Sequence, residues 1–102
     1  MQHFVEYVRL KVQQGREDEF LRNRPGAVAA IAEKFPDFVG APVNARVGDH
    51  EWVDVWIYVT KEEADAAMAQ SGDIPGFMAY ASLAEIVNIE VGWMPAGTAA
   101  AG

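Results

Sequence analysis

The stretch Trp52-Val53-Asp54-Val55-Trp56-Ile57-Tyr58-Val59-Thr60 decides the fold of this chain. Side chains alternate between the two faces of a β-strand, so one face carries four branched aliphatic residues, Val53, Val55, Ile57 and Val59. The opposite face carries Trp52, Asp54, Trp56 and Tyr58. A half-exposed strand would alternate apolar with polar residues, so this strand needs cover on both faces. A chain of 102 residues can supply helices for one face only. We therefore expect a second copy of the chain to cover the other face.

Composition limits the class of protein. The 102 residues predict one domain over 1–94, followed by a flexible tail of small residues over 95–102. Without cysteine the chain can form neither disulfides nor thiolate sites, and its net charge of −7 argues against nucleic-acid binding. No segment resembles a signal peptide or reaches membrane-spanning length, so we expect a soluble cytoplasmic protein without membrane association.

The remaining hydrophobic patterns give the order of elements. Apolar residues return to one helical face from Phe20 to Phe35, but Pro25 interrupts the segment and predicts a kink or two short helices. Thr60 and Glu63 form a capping box at the start of a second helix, and a further helical stretch begins near Pro75. Alternating patterns predict strands over 4–12, 38–47, 52–60 and 85–94.

The order strand, helix, strand, strand, helix, strand predicts an α+β fold, the ferredoxin-like βαββαβ plait with helices on one face of an antiparallel sheet. Right-handed crossovers bring the first and third strands together at its centre. The uncovered sheet face then predicts a homodimer that packs sheet against sheet.

Four motifs resemble one known family, and together they extend from residue 4 to residue 93. They are Val8-Arg9-Leu10-Lys11-Val12 with Gly15 and Phe20, then Pro36-Asp37-Phe38-Val39-Gly40, then Tyr58-Val59-Thr60-Lys61-Glu62-Glu63-Ala64, and Ile74-Pro75-Gly76-Phe77-Met78-Ala79-Tyr80. The chain resembles the dimeric α+β-barrel superfamily, and within it the domains grouped with antibiotic biosynthesis monooxygenases. That resemblance implies two sheets closed into a barrel and a ligand cavity between sheet and helices in each subunit.

The resemblance also implies a function. It favours a cofactor-independent monooxygenase-like enzyme that acts on a small aromatic or polyketide-type compound. It places the aliphatic face of 52–60 toward the partner subunit and the aromatic face toward the cavity. Haem degradation, another activity of the family, does not fit, because the family's strand-one Asn falls on Val8 and the second helix has no His.

The predicted site follows from these faces. Such an oxygenase needs a base, a hydrogen-bond donor and a dry aromatic pocket. Asp54 is the predicted base, if burial favours its protonated form, while Trp56 and Tyr58 orient the substrate. The predicted substrate-binding residues are Val8, Leu10, Phe20, Phe77 and Tyr80. No cofactor and no metal are predicted.

Other interpretations stay open at this point. The same fold could serve a polyketide cyclase that uses acid–base chemistry alone, or a non-catalytic small-molecule binding protein. The aromatic residues could be ordinary core. His3 is a second acid–base candidate, and His50 with neighbouring carboxylates is a weak metal candidate. Three unusual polar residues within strands, Glu6, Asn88 and Glu90, need partners if they are buried. They could line a cavity or form bonds across the dimer.

Overall fold

The structure is a computed structural model that describes residues 2–95. Its strands are β1 (Gln2–Val12), β2 (Phe38–Gly48), β3 (Glu51–Tyr58) and β4 (Ala84–Pro95). Its helices are α1 (Glu17–Lys34), α2 (Lys61–Gln70) and α3 (Pro75–Ala81), with a short 3₁₀ turn (Ser71–Asp73) between α2 and α3. Of the tail predicted over 95–102, residues 96–102 lie outside the described part.

The four strands form one antiparallel sheet in the order β2-β3-β1-β4, with the helices on one side. Strands β1 and β3 are the central pair, and their register sets Glu6 opposite Trp56 and Val8 opposite Asp54. The predicted ferredoxin-like plait is therefore confirmed.

Strand β3 divides its side chains between two clusters, as its sequence pattern predicts. Trp52, Trp56 and Tyr58 belong to the main core beneath the helices. Val55 and Ile57 lie on the opposite face, where they pack with Val5 in a separate cluster. One strand thus links the helical core to the uncovered face of the sheet.

Residues 17–34 form one continuous helix with Pro25 inside it, so the alternative of two short helices was wrong. Pro25 lacks the N–H that would bond to the carbonyl of Leu21. Both residues are exposed, so water can hydrate that carbonyl. Meanwhile Phe20, Ala27 and Ile31 bury one side of the helix on both sides of the proline. Tertiary packing outweighs the local break.

The start of α2 follows its sequence signal. The Thr60 hydroxyl accepts a hydrogen bond from the backbone N–H of Glu63 at 3.2 Å, as a helix N-cap does. Pro75 then opens α3 at a position where its missing N–H needs no partner. No helix within residues 2–95 is long and apolar enough to cross a membrane.

Candidate functional site

A cavity of about 380 Å³ lies between the central strands and the helices. This volume falls within the roughly 300–1,000 Å³ typical of small-molecule sites. The structure places all eight residues that the sequence analysis assigned to catalysis or substrate binding on its wall: Asp54, Trp56, Tyr58, Val8, Leu10, Phe20, Phe77 and Tyr80. Their roles stay predictions, but their placement in one cavity is an observation.

Aromatic rings hold one another in place along this wall. The rings of Phe20 and Tyr80 stack with their centroids 4.5 Å apart. Phe77 meets both Trp56 and Tyr80 edge to face, with centroids 5.9 and 6.4 Å apart. Such offset and edge contacts are the favourable geometries for aromatic pairs. The wall is therefore apolar and well packed, and suits a flat hydrophobic ligand.

Asp54 is the most deeply buried charged residue of the site, with no exposed surface. Its Oδ1 accepts a hydrogen bond from Nη2 of Arg24 at 2.6 Å, and its Oδ2 accepts one from the hydroxyl of Tyr80. The amide of Asn44 in turn donates to the Tyr80 hydroxyl at 3.3 Å. Arg24, Asp54, Tyr80 and Asn44 are called the Asp54 network below.

Arg24 brings the positive charge of this network from α1. Its Nη2 also lies 2.9 Å from the carbonyl oxygen of Ala41 and 3.3 Å from that of Val43, in β2. Its guanidinium carbon lies 5.9 Å from the centroid of the Trp56 ring, within the range of a cation–π contact. Burial acts to lower the pKa of Arg24, but the hydrogen bond to Asp54 and the charge of Asp54 act together to raise it. The net change is a rise above the usual value, so Arg24 stays protonated.

The network also keeps Tyr80 neutral. Burial, followed by the charge of Asp54 and the hydrogen bond to it, raises the pKa of the Tyr80 hydroxyl far above its usual value. Tyr80 is thus a hydrogen-bond donor fixed by a carboxylate, and Asp54 is a carboxylate with both oxygens engaged. Arg24 and Asn44 were not among the predicted site residues. Asn44 pairs with Asp54 in the β2–β3 register, and this pairing places its amide group within the Asp54 network.

Glu6 provides a second carboxyl group in the same cavity, and its surroundings differ from those of Asp54. Its side chain lines the wall with 8% of its surface exposed. Burial, with a smaller contribution from the charge of Asp65, raises its pKa to about 7. Glu6 was noted in the sequence as an unusual polar residue within a strand, but it was not assigned to the site.

Tyr58 lies beside Glu6 and stays protonated. Burial raises the pKa of its hydroxyl well above the usual value, and the charges of Glu6 and Glu63 raise it further. Its ring packs against Phe38 with centroids 5.3 Å apart. Tyr58 therefore presents a neutral phenol at the cavity wall, which fits the predicted orienting role.

The other polar candidates lie away from the cavity. His3, in β1, is not among its lining residues. His50 forms the β2–β3 hairpin, with Nδ1 3.2 Å from Oε1 of Glu17. Within residues 2–95, no group of three or more His, Asp or Glu side chains is placed to hold a metal ion. Asn88 and Glu90 are exposed on β4, so neither needs a buried partner.

Comparison with known proteins identifies the fold. No protein-family model matches the chain, and no curated protein matches it either. Among solved structures, SnoaB, a cofactor-independent oxygenase from Streptomyces nogalater, superposes with a TM-score of 0.67 at 23% identity and covers 94% of each chain. A protein from Bordetella bronchiseptica assigned to the antibiotic biosynthesis monooxygenases gives a TM-score of 0.70 at 16% identity over 93% of this chain and 97% of its own.

The same fold also occurs in a protein that carries no assigned activity in its name. A NIPSNAP family protein from Agrobacterium tumefaciens superposes with a TM-score of 0.58 at 17% identity, over 93% of this chain and 87% of its own. At these identities the likeness shows a shared fold and nothing finer. The chain has the ferredoxin-like fold of the antibiotic biosynthesis monooxygenases, as its sequence resemblance implied.

Proposed function

We propose that this chain is a cofactor-independent monooxygenase-like enzyme that acts on a small aromatic or polyketide-type compound. The observation that carries the proposal is the 380 Å³ cavity, whose aromatic wall also holds two carboxyl groups, Asp54 and Glu6. An oxygenase of this kind reacts through an electron-rich substrate anion. It therefore needs a cavity that fits the substrate, a proton acceptor and little water. The shared fold with a cofactor-independent oxygenase supports the proposal.

The three predicted catalytic residues have roles that fit their contacts. The rings of Trp56 and Tyr58 hold the plane of the substrate, and the Tyr58 hydroxyl donates to a substrate oxygen. Asp54, which the sequence analysis proposed as the base, fixes the hydroxyl of Tyr80 and neutralises Arg24. Both carboxyl oxygens of Asp54 are engaged by these donors, so the side chain is held in one position beside the cavity.

The proposal is tested by oxygen uptake. With anthrone as the substrate and no added metal or flavin, the protein is expected to consume oxygen faster than buffer does. Trp56→Phe is expected to lower kcat/KM about tenfold, which corresponds to about 1.4 kcal/mol of lost transition-state stabilisation. The rate is measured with an oxygen electrode and the fold of each variant is checked by circular dichroism.

Trp93→Phe is the matched control for that variant. Trp93 lies on β4, is 54% exposed and does not line the cavity, so its replacement is expected to leave the rate unchanged. An uptake rate no higher than that of buffer would contradict the proposal. Turnover of the substrate without oxygen would instead indicate the cyclase activity considered above.

We propose further that the protein is a homodimer that buries the outer face of the sheet. Val53, Val55 and Ile57 belong to the cluster on the outer face, and Val59, the fourth residue of the predicted interface, follows the end of β3. Val55 lies between Tyr7 of β1 and Val43 of β2 in the register. Tyr7 and Val43 are 44% and 43% exposed in the single chain. An apolar row that crosses three strands is typical of an interface.

Tyr7→Glu is expected to convert a dimer into a monomer, because it places a charge at the centre of that row. Leu21→Glu is the matched control, since Leu21 is 43% exposed on α1, on the helical side of the sheet. Sedimentation equilibrium should give twice the chain mass for the wild-type protein and for Leu21→Glu. A monomeric wild-type protein, or a dimeric Tyr7→Glu variant, would disprove this assembly.

A further inference from the structure

Glu6 stands out because it is a buried residue whose carboxyl group has no partner in the part of the chain that the structure describes. It lies on the helix-facing side of β1, opposite Trp56 of β3 and Val91 of β4. Within residues 2–95, no hydrogen-bond donor or cation is paired with its carboxyl oxygens, although only 8% of the residue is exposed. Buried carboxyl groups are nearly always paired, so an unpaired one that lines a cavity is available to a ligand.

The charged and titratable groups around Glu6 do not neutralise it. On α2, Asp65 raises its pKa by like-charge repulsion. On β3, Tyr58 feels the charge of Glu6 and stays protonated. On α3, Tyr80 is engaged by Asp54, and the cation of α1, Arg24, bonds to Asp54 as well. On β4 the register partner is the apolar Val91.

The cavity therefore holds two carboxyl groups with complementary properties. Asp54 is paired with a cation and a hydroxyl and is fixed in place, while Glu6 is unpaired and free to take up a proton. When two acids of one site lie in such different surroundings, the unpaired one is suited to proton transfer and the paired one to orientation.

We propose that Glu6 is the proton acceptor of this cavity, acting on an acidic C–H or O–H group of an aromatic substrate. A carboxylate oxygen of Glu6 forms an O–H bond as the substrate C–H or O–H bond breaks. The electron pair stays on the substrate as a delocalised anion, so this step needs no oxidant. The inference rests on the proposed function for the location of the site and the class of substrate.

Hydrogen exchange tests this step without oxygen. In deuterated buffer under anaerobic conditions, the wild-type protein is expected to accelerate exchange of the methylene hydrogens of anthrone. Proton NMR measures this exchange as the loss of the methylene signal. Glu6→Gln is expected to lower the enzymatic exchange rate about 100-fold, the lower end of what a positioned general base contributes. Glu6→Asp, which keeps the carboxyl group, should recover part of the rate. Glu33→Gln changes a residue on the exposed surface of α1, so this variant should catalyse the exchange at the wild-type rate.

The pH profile separates a proton acceptor from a merely structural residue. Wild-type exchange is expected to rise with pH through a midpoint near 7, because only the ionised form of Glu6 takes a proton. Glu6→Gln should lack that rise while it still binds anthrone, as measured by quenching of tryptophan fluorescence. Should Glu6→Gln not fold, carbon-13 NMR of the Glu6 carboxyl group in the wild-type protein gives the same midpoint directly.

The outcomes distinguish this inference from the proposed function. Exchange that depends on Glu6, without oxygen uptake, would support the proton acceptor and refute the oxygenase. Absence of enzymatic exchange, or a Glu6→Gln variant with the wild-type rate and pH profile, would overturn the proton acceptor even if oxygen were consumed. A Glu6 midpoint near the ordinary value of about 4.3 would overturn it as well.

Discussion

Asp54→Asn is expected to lower the free energy of unfolding by about 3–5 kcal/mol, the usual loss when one partner of a buried ion pair is removed. The substitution keeps the shape of the side chain but removes its charge. Arg24 then remains a partly buried cation, with 16% of its side chain exposed, and it has lost its counter-ion. The amide group also brings a donor toward other donors. Urea denaturation followed by tryptophan fluorescence measures the change.

The effect is large because the Asp54 network joins four elements of the fold. Arg24 extends from α1 to the carbonyl groups of Ala41 and Val43 in β2, and Asp54 anchors it to β3. Tyr80 adds α3 through its hydrogen bond to the same carboxylate. Loss of the charge therefore weakens the contacts between the sheet and the helices, in addition to the single ion pair. We expect the cavity wall to loosen together with the fold.

Two controls separate the buried charge from general effects of substitution. The double variant Arg24→Met with Asp54→Leu is expected to be more stable than either single variant, because apolar side chains leave no unpaired charge. Asp65→Asn breaks an exposed ion pair, Lys61–Asp65, of similar length at 2.7 Å, and should leave stability nearly unchanged. An Asp54→Asn variant as stable as the wild-type protein would show that the network does not hold the layers together.

The fold could be predicted because its signals are local and repeated. The two-residue period of 52–60 fixes which side chains share a face, and the order of elements leaves few arrangements for four strands and their crossovers. The alternative of two short helices at Pro25 was wrong for a reason of the opposite kind. A proline weakens a helix locally, whereas the burial of Phe20, Ala27 and Ile31 that keeps α1 continuous depends on the whole domain.

The site could be predicted only in part, for a related reason. Asp54, Trp56 and Tyr58 share a face of one strand, so their common direction follows from the sequence. The partners of Asp54 come from other elements, Arg24 from α1 and Asn44 from β2. Their position depends on the register between strands and the rotation of a helix, which no short pattern encodes. The role of a carboxyl group depends on those partners, so the assignment of Asp54 as the base stays a prediction.

Glu6→Gln is expected to stabilise the protein at pH 8 and to have little effect at pH 5. Burial raises the pKa of Glu6 in the folded protein from 4.5 to about 7, so folding favours the protonated form. This contribution to stability is fully present below the unfolded pKa, and it is lost as the pH rises through 7. A shift of this size corresponds to at most about 3–4 kcal/mol, since one pKa unit is about 1.4 kcal/mol.

The measurement is the difference in unfolding free energy between Glu6→Gln and the wild-type protein, taken at pH 5 and pH 8 in urea. Other carboxyl groups titrate in both proteins, so their contributions cancel in that difference. We expect the difference to grow by about 2–3 kcal/mol from pH 5 to pH 8. Glu33→Gln, at an exposed position, should show no such change. An equal difference at both pH values would mean that Glu6 ionises normally in the folded protein, and the cavity would then lack a proton acceptor that titrates near neutral pH.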